Sequence, residues 1–379
     1  MFPLLLAVQD TCARIGAVTG KGLAAVIKEH YGRGMLSFAV LLVVVANIVN
    51  IGADIGAMVA AIQLLVPIPF MVASLGFVAI IILMQITIPY HRYAKVLKWL
   101  AVFLFAYLVT AFVVGPDWGK ALHATVTPQL RFDETSLYLI VGLLGTTISP
   151  YLFFWDTSEV VEGEIEKKRL GIKGLHPPKI TRHFLRSVRI DTVVGMLLAS
   201  VTAWFIMLVC AVVLNANGIT EINTAADAAK AIEPLVSGFP YAGFIAKLIF
   251  AVGIIGLGML AVPVLAGSSA YALSESFGWK EGLYRKFSKA TGFYVTIVLA
   301  TVAGLAINFL DIDPMQALVF AAVFNGVAAV PLLAMIARIG ANKEILGEYT
   351  TSRIARYGGW IAFGVMLLAA GSMLASFFL

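Results

Sequence analysis

The chain has 379 residues, of which 60% are hydrophobic and only 13% charged. Its mean hydropathy of +0.94 lies outside the range of water-soluble globular domains. The net charge of +6 is shared among five separate loops, which excludes a basic nucleic-acid-binding face. Cys12 and Cys210 lie far apart on apolar segments and form neither a zinc spacing nor a disulfide framework, and the five histidines fall in loops or at helix ends.

Taken in chain order, the apolar stretches read as membrane crossings, each needing about 20 residues. Met1 is followed at once by Phe-Pro-Leu-Leu-Leu-Ala-Val, with neither the basic start nor the cleavage site of a signal peptide. Residues 2–15 are therefore expected to be a tenth, shortened crossing of a chain that lacks its beginning. Full crossings follow at roughly 34–65, 68–89, 94–115, 135–162, 187–215, 239–276, 291–310, 314–338 and 355–379. Every Lys and Arg except Lys120, Arg131, Lys230 and Lys247 falls on one side of this arrangement, including the basic loop 163–189. That bias places those loops in the cytoplasm. The expected protein is all-α and multi-pass, one transmembrane domain over residues 1–379, embedded as a monomer in the lipid bilayer.

Gly16 to Lys21 falls one residue short of a phosphate-binding loop and reads as a tight turn, with Thr19 as the expected cap of a short helix over 23–31. In the first long crossing Asn47, Asn50 and Asp54 recur at helical spacing and share one face. Such groups are costly at membrane depth unless partnered, so the stripe is either a functional face or glue between helices. The fourth full crossing is interrupted by Gly-Thr-Thr-Ile-Ser-Pro-Tyr at 145–151. A proline after hydroxylated and β-branched residues is poor helix material. In a bilayer the freed backbone must line a polar cavity, as it does at the substrate sites of transporters.

Asp156 and Glu159 follow the break as an i,i+3 pair, extended by Glu162. They read equally as a cation vestibule or as a solvated helix end facing Lys167 and Lys168. The Gly253–Gly267 stretch reads as close helix packing. Asn308 reads as an interfacial residue, and Asn325 as either an oxygen donor to a cation or a bond to a neighbouring helix. No nucleophile–base or metal-ligand set sits in a plausible pocket, so an enzyme is not expected and no cofactor is called for.

Several runs together carry a resemblance. They are Ala-Arg-Ile-Gly-Ala-Val-Thr-Gly-Lys-Gly-Leu, Asn-Ile-Gly-Ala-Asp, Gly-Thr-Thr-Ile-Ser-Pro-Tyr, Leu-Ala-Val-Pro-Val-Leu-Ala-Gly-Ser and Ile-Asp-Pro-Met-Gln-Ala-Leu. In order and spacing the chain resembles the natural-resistance-associated macrophage protein (Nramp) family of divalent-metal transporters, as a divergent bacterial branch. The resemblance implies a leucine-transporter-like inverted repeat in a bacterial cytoplasmic membrane, here lacking the first crossing and most of the second, with a divalent cation as transported substrate.

It also implies a site. The family's metal-binding carbonyl maps to Thr146, its methionine ligand to Ser149 and a tenth-crossing glutamine to Asn325. The histidine of the proton route maps to Tyr151. Asp54 keeps the aspartate of the family's Asp-x-x-Glu, while Ala57 replaces the glutamate. Asn47, Asn50, Tyr151, Asp156 and Glu159 are expected along the polar or proton path. Losing a soft thioether weakens selection against Mg²⁺, so Mn²⁺ or Mg²⁺ is the expected ion, with weakened proton coupling. An amino-acid carrier on the same fold and a non-transporting remnant remain as alternatives.

Overall fold

The computed structural model describes residues 1–88, 90, 92, 95, 99, 102–127, 133–166, 182–219, 222–310 and 312–376. Among these residues there is no strand. The main helices are α1 (Phe2–Thr19), α2 (Leu23–His30), α3 (Gly32–Gln63), α4 (Phe70–Thr87), α5 (Val102–Val114), α6 (Glu134–Thr147), α7 (Pro150–Glu166), α8 (Arg182–Val209), α9 (Ala242–Phe277), α10 (Thr291–Ile307), α11 (Pro314–Ala341) and α12 (Arg353–Ser376). Seven spans are long and apolar enough to cross a bilayer, α6 and α7 forming one of them, and α5 and α10 are shorter apolar helices. The crossings expected from sequence recur within a few residues where they are described. Most of loop 163–189, with Lys167 and Lys168, lies outside the described residues.

Local chemistry explains the helix ends. Asp133 caps α6 by accepting from the Ser136 amide at 3.0 Å, and Asp313 caps α11 by accepting from Met315 at 2.8 Å, with Pro314 in the first helical position. The sequence missed the short helices Trp118–Val126, Ala225–Lys230 and Glu233–Val236. Their polar side chains hide the periodicity that marks a crossing.

The expected role of Thr19 is corrected. Its hydroxyl donates back to the Ile15 carbonyl at 2.7 Å, and α2 starts at Gly22 with no side-chain cap of its own. The acceptor comes from far along the chain: Glu275 of α9 accepts from the Ala25 amide at 2.9 Å. A side chain at Gly22 would run into that carboxylate.

α3 is the central helix and packs against α9, α10 and α11. Small residues make the close approach possible. Gly258 of α9 faces Met58 of α3, Gly304 of α10 faces Ile51, and Gly267 of α9 faces the Trp155 ring. The glycine-rich 253–267 stretch is therefore a packing surface, as its composition suggested. Asn308 does more than sit at an interface. Its amide donates to the Gly52 carbonyl at 3.0 Å and ties α10 to α3.

Candidate functional site

The interruption in the fourth full crossing is narrower than 145–151. Helix α6 persists through Thr147 and α7 begins at Pro150, leaving Ile148 and Ser149 between them. Pro150 has no amide hydrogen to give the Thr146 carbonyl. The Ser149 hydroxyl replaces part of what is lost, donating to the Gly145 carbonyl at 2.6 Å and toward the Thr146 carbonyl at 3.2 Å. Ser149 is itself buried, and Thr146 is exposed at the break. Below it, the Tyr151 carbonyl accepts from Ser268 of α9 at 2.9 Å.

α6 lies against α11 through glycines. A Cβ on Gly145 would strike the Ala322 carbonyl and the Gly326 backbone, and one on Gly326 would strike Val141. This contact brings the break beside Asn325, the residue before Gly326. Asn325 is buried and exchanges two hydrogen bonds with Asn50 of α3, at 2.8 and 2.9 Å. The Asn50 amide also reaches the Ala46 carbonyl at 2.7 Å.

The polar stripe on α3 therefore divides among three neighbours. Asn47 donates to the Leu265 carbonyl and Ser269 hydroxyl of α9, both at 3.0 Å, while its own amide oxygen is buried without a partner. Asn50 meets α11. Asp54 lies within electrostatic reach of Tyr151 on α7. The structure thus gathers Thr146, Ser149, Asn325, Asn50, Asp54 and Tyr151 around the break and turns Asn47 away toward α9.

Asp156 and Glu159 are one step removed. They line a cavity of about 400 Å³ with Glu164 and Asp191, between α7 and α8. One oxygen of Asp156 is buried without a hydrogen bond. On its α1 side Asp10 is flanked by Arg14 at 3.6 Å and Arg189 at 3.8 Å. Sequence reading passed over Asp10 and Gln9, which sit on α1, Gln9 fully buried with both amide atoms unpartnered. The available signal was an amide and a carboxylate ending an apolar run. Among the described residues no group of three His, Cys, Asp or Glu is placed to hold a metal ion. The donors at the break are carbonyl, hydroxyl and amide oxygens.

A second polar assembly, of which sequence reading singled out only Glu162, lies at the C-terminal end of α7. Glu162 accepts from the Tyr271 hydroxyl and from the Leu283 amide at 2.7 Å. Glu275 accepts from Ser158 at 3.1 Å, and with Glu281 the group borders a cavity of about 240 Å³. Burial first, then the charges of Glu275 and Glu162, partly offset by Arg285, push the loop residue Glu281 up to about 9. An unfolded glutamate ionises near pH 4.3, so between about 4.3 and 9 the folded chain retains a proton that the unfolded chain releases. Folding is therefore penalised increasingly as pH rises through that window. Glu281→Gln is expected to melt higher than the parent at pH 8–9 and equally at pH 4–5, read by thermal unfolding across pH.

The comparisons with known proteins bear on family and fold. A family model described as natural resistance-associated macrophage protein-like matches residues 1–376. The divalent metal cation transporter MntH of Ralstonia nicotianae is 25% identical over 96% of this chain and 79% of its own length. The MntH of Klebsiella pneumoniae is 24% identical over 98% of this chain and 84% of its own. Among solved structures, the Eremococcus coleocola manganese transporter in complex with an aromatic bis-isothiourea substituted compound superposes with a TM-score of 0.71 at 18% identity, covering 99% of this chain and 79% of that one. This likeness gives the chain the leucine-transporter-like fold. The match runs from the first residue to within three of the last, through the broken crossing and its partners, and the chain belongs to the Nramp family.

Proposed function

We propose that the chain is a secondary transporter of divalent cations, Mn²⁺ or Mg²⁺, working as a monomer by alternating access with the ion held at the broken crossing. The observation that carries this reading is the break itself. The Thr146 carbonyl is deprived of an amide partner by Pro150, and the preceding Gly145 packs on the backbone next to Asn325, which is buried and paired with the partly buried Asn50. In this reading Thr146, Ser149 and Asn325 offer oxygen to the ion, and Asp54 and Tyr151 border its path. The relatives named as divalent metal cation transporters support the substrate class.

A hard, all-oxygen donor set tolerates a partly hydrated ion, which suits Mg²⁺ as well as Mn²⁺. Proton coupling is weakened, because Ala57 and Tyr151 stand where the family's Asp-x-x-Glu glutamate and its histidine would be titratable groups.

The test is flux into proteoliposomes carrying the protein, with internal dyes for Mn²⁺, Mg²⁺ and pH. The reading requires cation entry with little acidification. Entry of neither ion sinks it, and uptake of amino acids instead would favour a solute carrier. Within the site, Ser149→Cys adds a soft sulfur at nearly constant volume. It is expected to shift competition toward Cd²⁺ over Mg²⁺ by about tenfold, measured by Cd²⁺ block of Mg²⁺ entry. An unchanged Cd²⁺ competition would remove Ser149 from the donor set.

A further inference from the structure

The largest of the described cavities lies away from the broken crossing. It is a groove of about 590 Å³ where the end of α2 and the start of α3 meet the end of α9. Its two ends differ in chemistry. At one end stand Lys28 of α2 and Arg33 of α3, in the segment that the charge bias places on the cytoplasmic side. At the other end an apolar wall runs along α3 and the facing turn of α9, through Leu36, Val40, Val44 and Leu273.

The cationic end is held open. Lys28 is fixed in place by donating to the Ser276 carbonyl at 2.8 Å, which spends one of its three hydrogens. Glu29, its neighbour in the chain, is occupied by Lys21 at 2.6 Å and leaves Lys28 unneutralised. Arg33 is exposed and makes no hydrogen bond or ion pair among the described residues. It sits in the first turn of α3, a helix of 32 residues that starts with no side-chain cap and no acid in that turn. Gly32 and Gly34, on either side of Arg33, face open space. Among the described residues, none that line the groove is acidic.

The apolar end continues from this pole toward the bilayer centre. From Leu36 to Val44 the helix rises about 12 Å, against about 15 Å of hydrocarbon in one leaflet. Leu41 and Phe277 at its rim are more than 60% exposed, so the wall opens to lipid and not to the protein interior.

We propose that this groove binds an anionic glycerophospholipid of the cytoplasmic leaflet. The phosphodiester sits at Arg33, Lys28 and the uncapped start of α3, and one acyl chain lies along Leu36, Val40 and Val44. Both halves of the groove are needed to choose this occupant. A free inorganic anion would use only the cationic end, and a zwitterionic lipid would bring its own cation against Arg33 and Lys28. The lipid bridges α2, α3 and α9 at the cytoplasmic edge. Its presence does not depend on what the chain carries.

The test uses the detergent-purified full chain and two short-chain probes, dioctanoyl phosphatidylglycerol and dioctanoyl phosphatidylcholine, with bound lipid counted by native mass spectrometry. The parent is expected to hold phosphatidylglycerol about tenfold more tightly than phosphatidylcholine. Arg33→Gln is expected to remove most of that preference, and Arg33→Gln with Lys28→Gln all of it. Because Arg33 has no partner among the described residues, the single variant reads lipid binding without loosening α2. Ser37→Phe, which fills the groove, is expected to lose both lipids while leaving the melting temperature of lipid-free protein unchanged. Equal binding of the two lipids by the parent overturns the proposal. So does full retention of phosphatidylglycerol by Arg33→Gln, or complete competition by inorganic phosphate, which would make the site one for a free anion.

Discussion

Asn325→Ala is expected to cost the chain both stability and transport. The substitution strands one oxygen and one amide hydrogen of Asn50, groups that now bond Asn325 at 2.8 and 2.9 Å. A buried polar group left unpaired costs about 1–3 kcal/mol. Asn50 is only partly buried and keeps its bond to Ala46, so the lower end, about 1 kcal/mol, is the expected loss. Transport should suffer more. Removal of one oxygen donor from a carbonyl-and-amide site is expected to slow divalent-cation entry about tenfold, because a hard ion so deprived is held by fewer oxygens. Thermal unfolding and vesicle flux on the same preparation separate the two effects. With Asn50→Leu and Asn325→Leu together, both amides are gone and nothing is stranded, so stability should partly recover while flux stays low. If flux survives in Asn325→Ala and only stability falls, the amide pair is a cross-link between α3 and α11 and not part of an ion site.

The larger structural effect is expected at Gly145. A methyl group there meets the Ala322 carbonyl and the Gly326 backbone, and backbone cannot move aside as a side-chain end can. Overpacking of this kind costs about 1–3 kcal/mol, and Gly145→Ala belongs at the upper end because the opposing atoms belong to a packed helix. The expected result is a sharp fall in monodisperse protein on size exclusion. Gly163→Ala, on the same crossing but with nothing within 4 Å of its added carbon, should behave as the parent. Equal yields for the two variants would show that α6 and α11 can separate at no cost, which would also weaken the placement of Asn325 beside the break.

The sequence made the membrane class and the crossings legible because hydropathy and charge bias are summed over many residues. The break was legible from Pro150, whose missing amide is a property of the residue and not of its surroundings. Partners were not. Asn47, Asn50 and Asp54 share a helix face by spacing, yet they serve three different neighbours, and only the positions of α9, α11 and α7 decide which. Glu281 reads as an ordinary loop glutamate until Glu162 and Glu275 are brought against it from 119 and 6 positions away in the chain. Thr19 shows the converse error: its place before a helix suggested a cap, and a carboxylate from another element took the role.

That last substitution has a consequence for how the chain is made. The acceptor for the Ala25 amide lies 250 residues downstream. At about 5–20 residues per second, a ribosome delivers Glu275 roughly 12–50 seconds after Ala25. Throughout that interval the first turn of α2 is without its acceptor, while the five apolar spans between α2 and α9 are made. The start of α2 is thus among the last local structures to be completed, and its order reports that α9 has arrived.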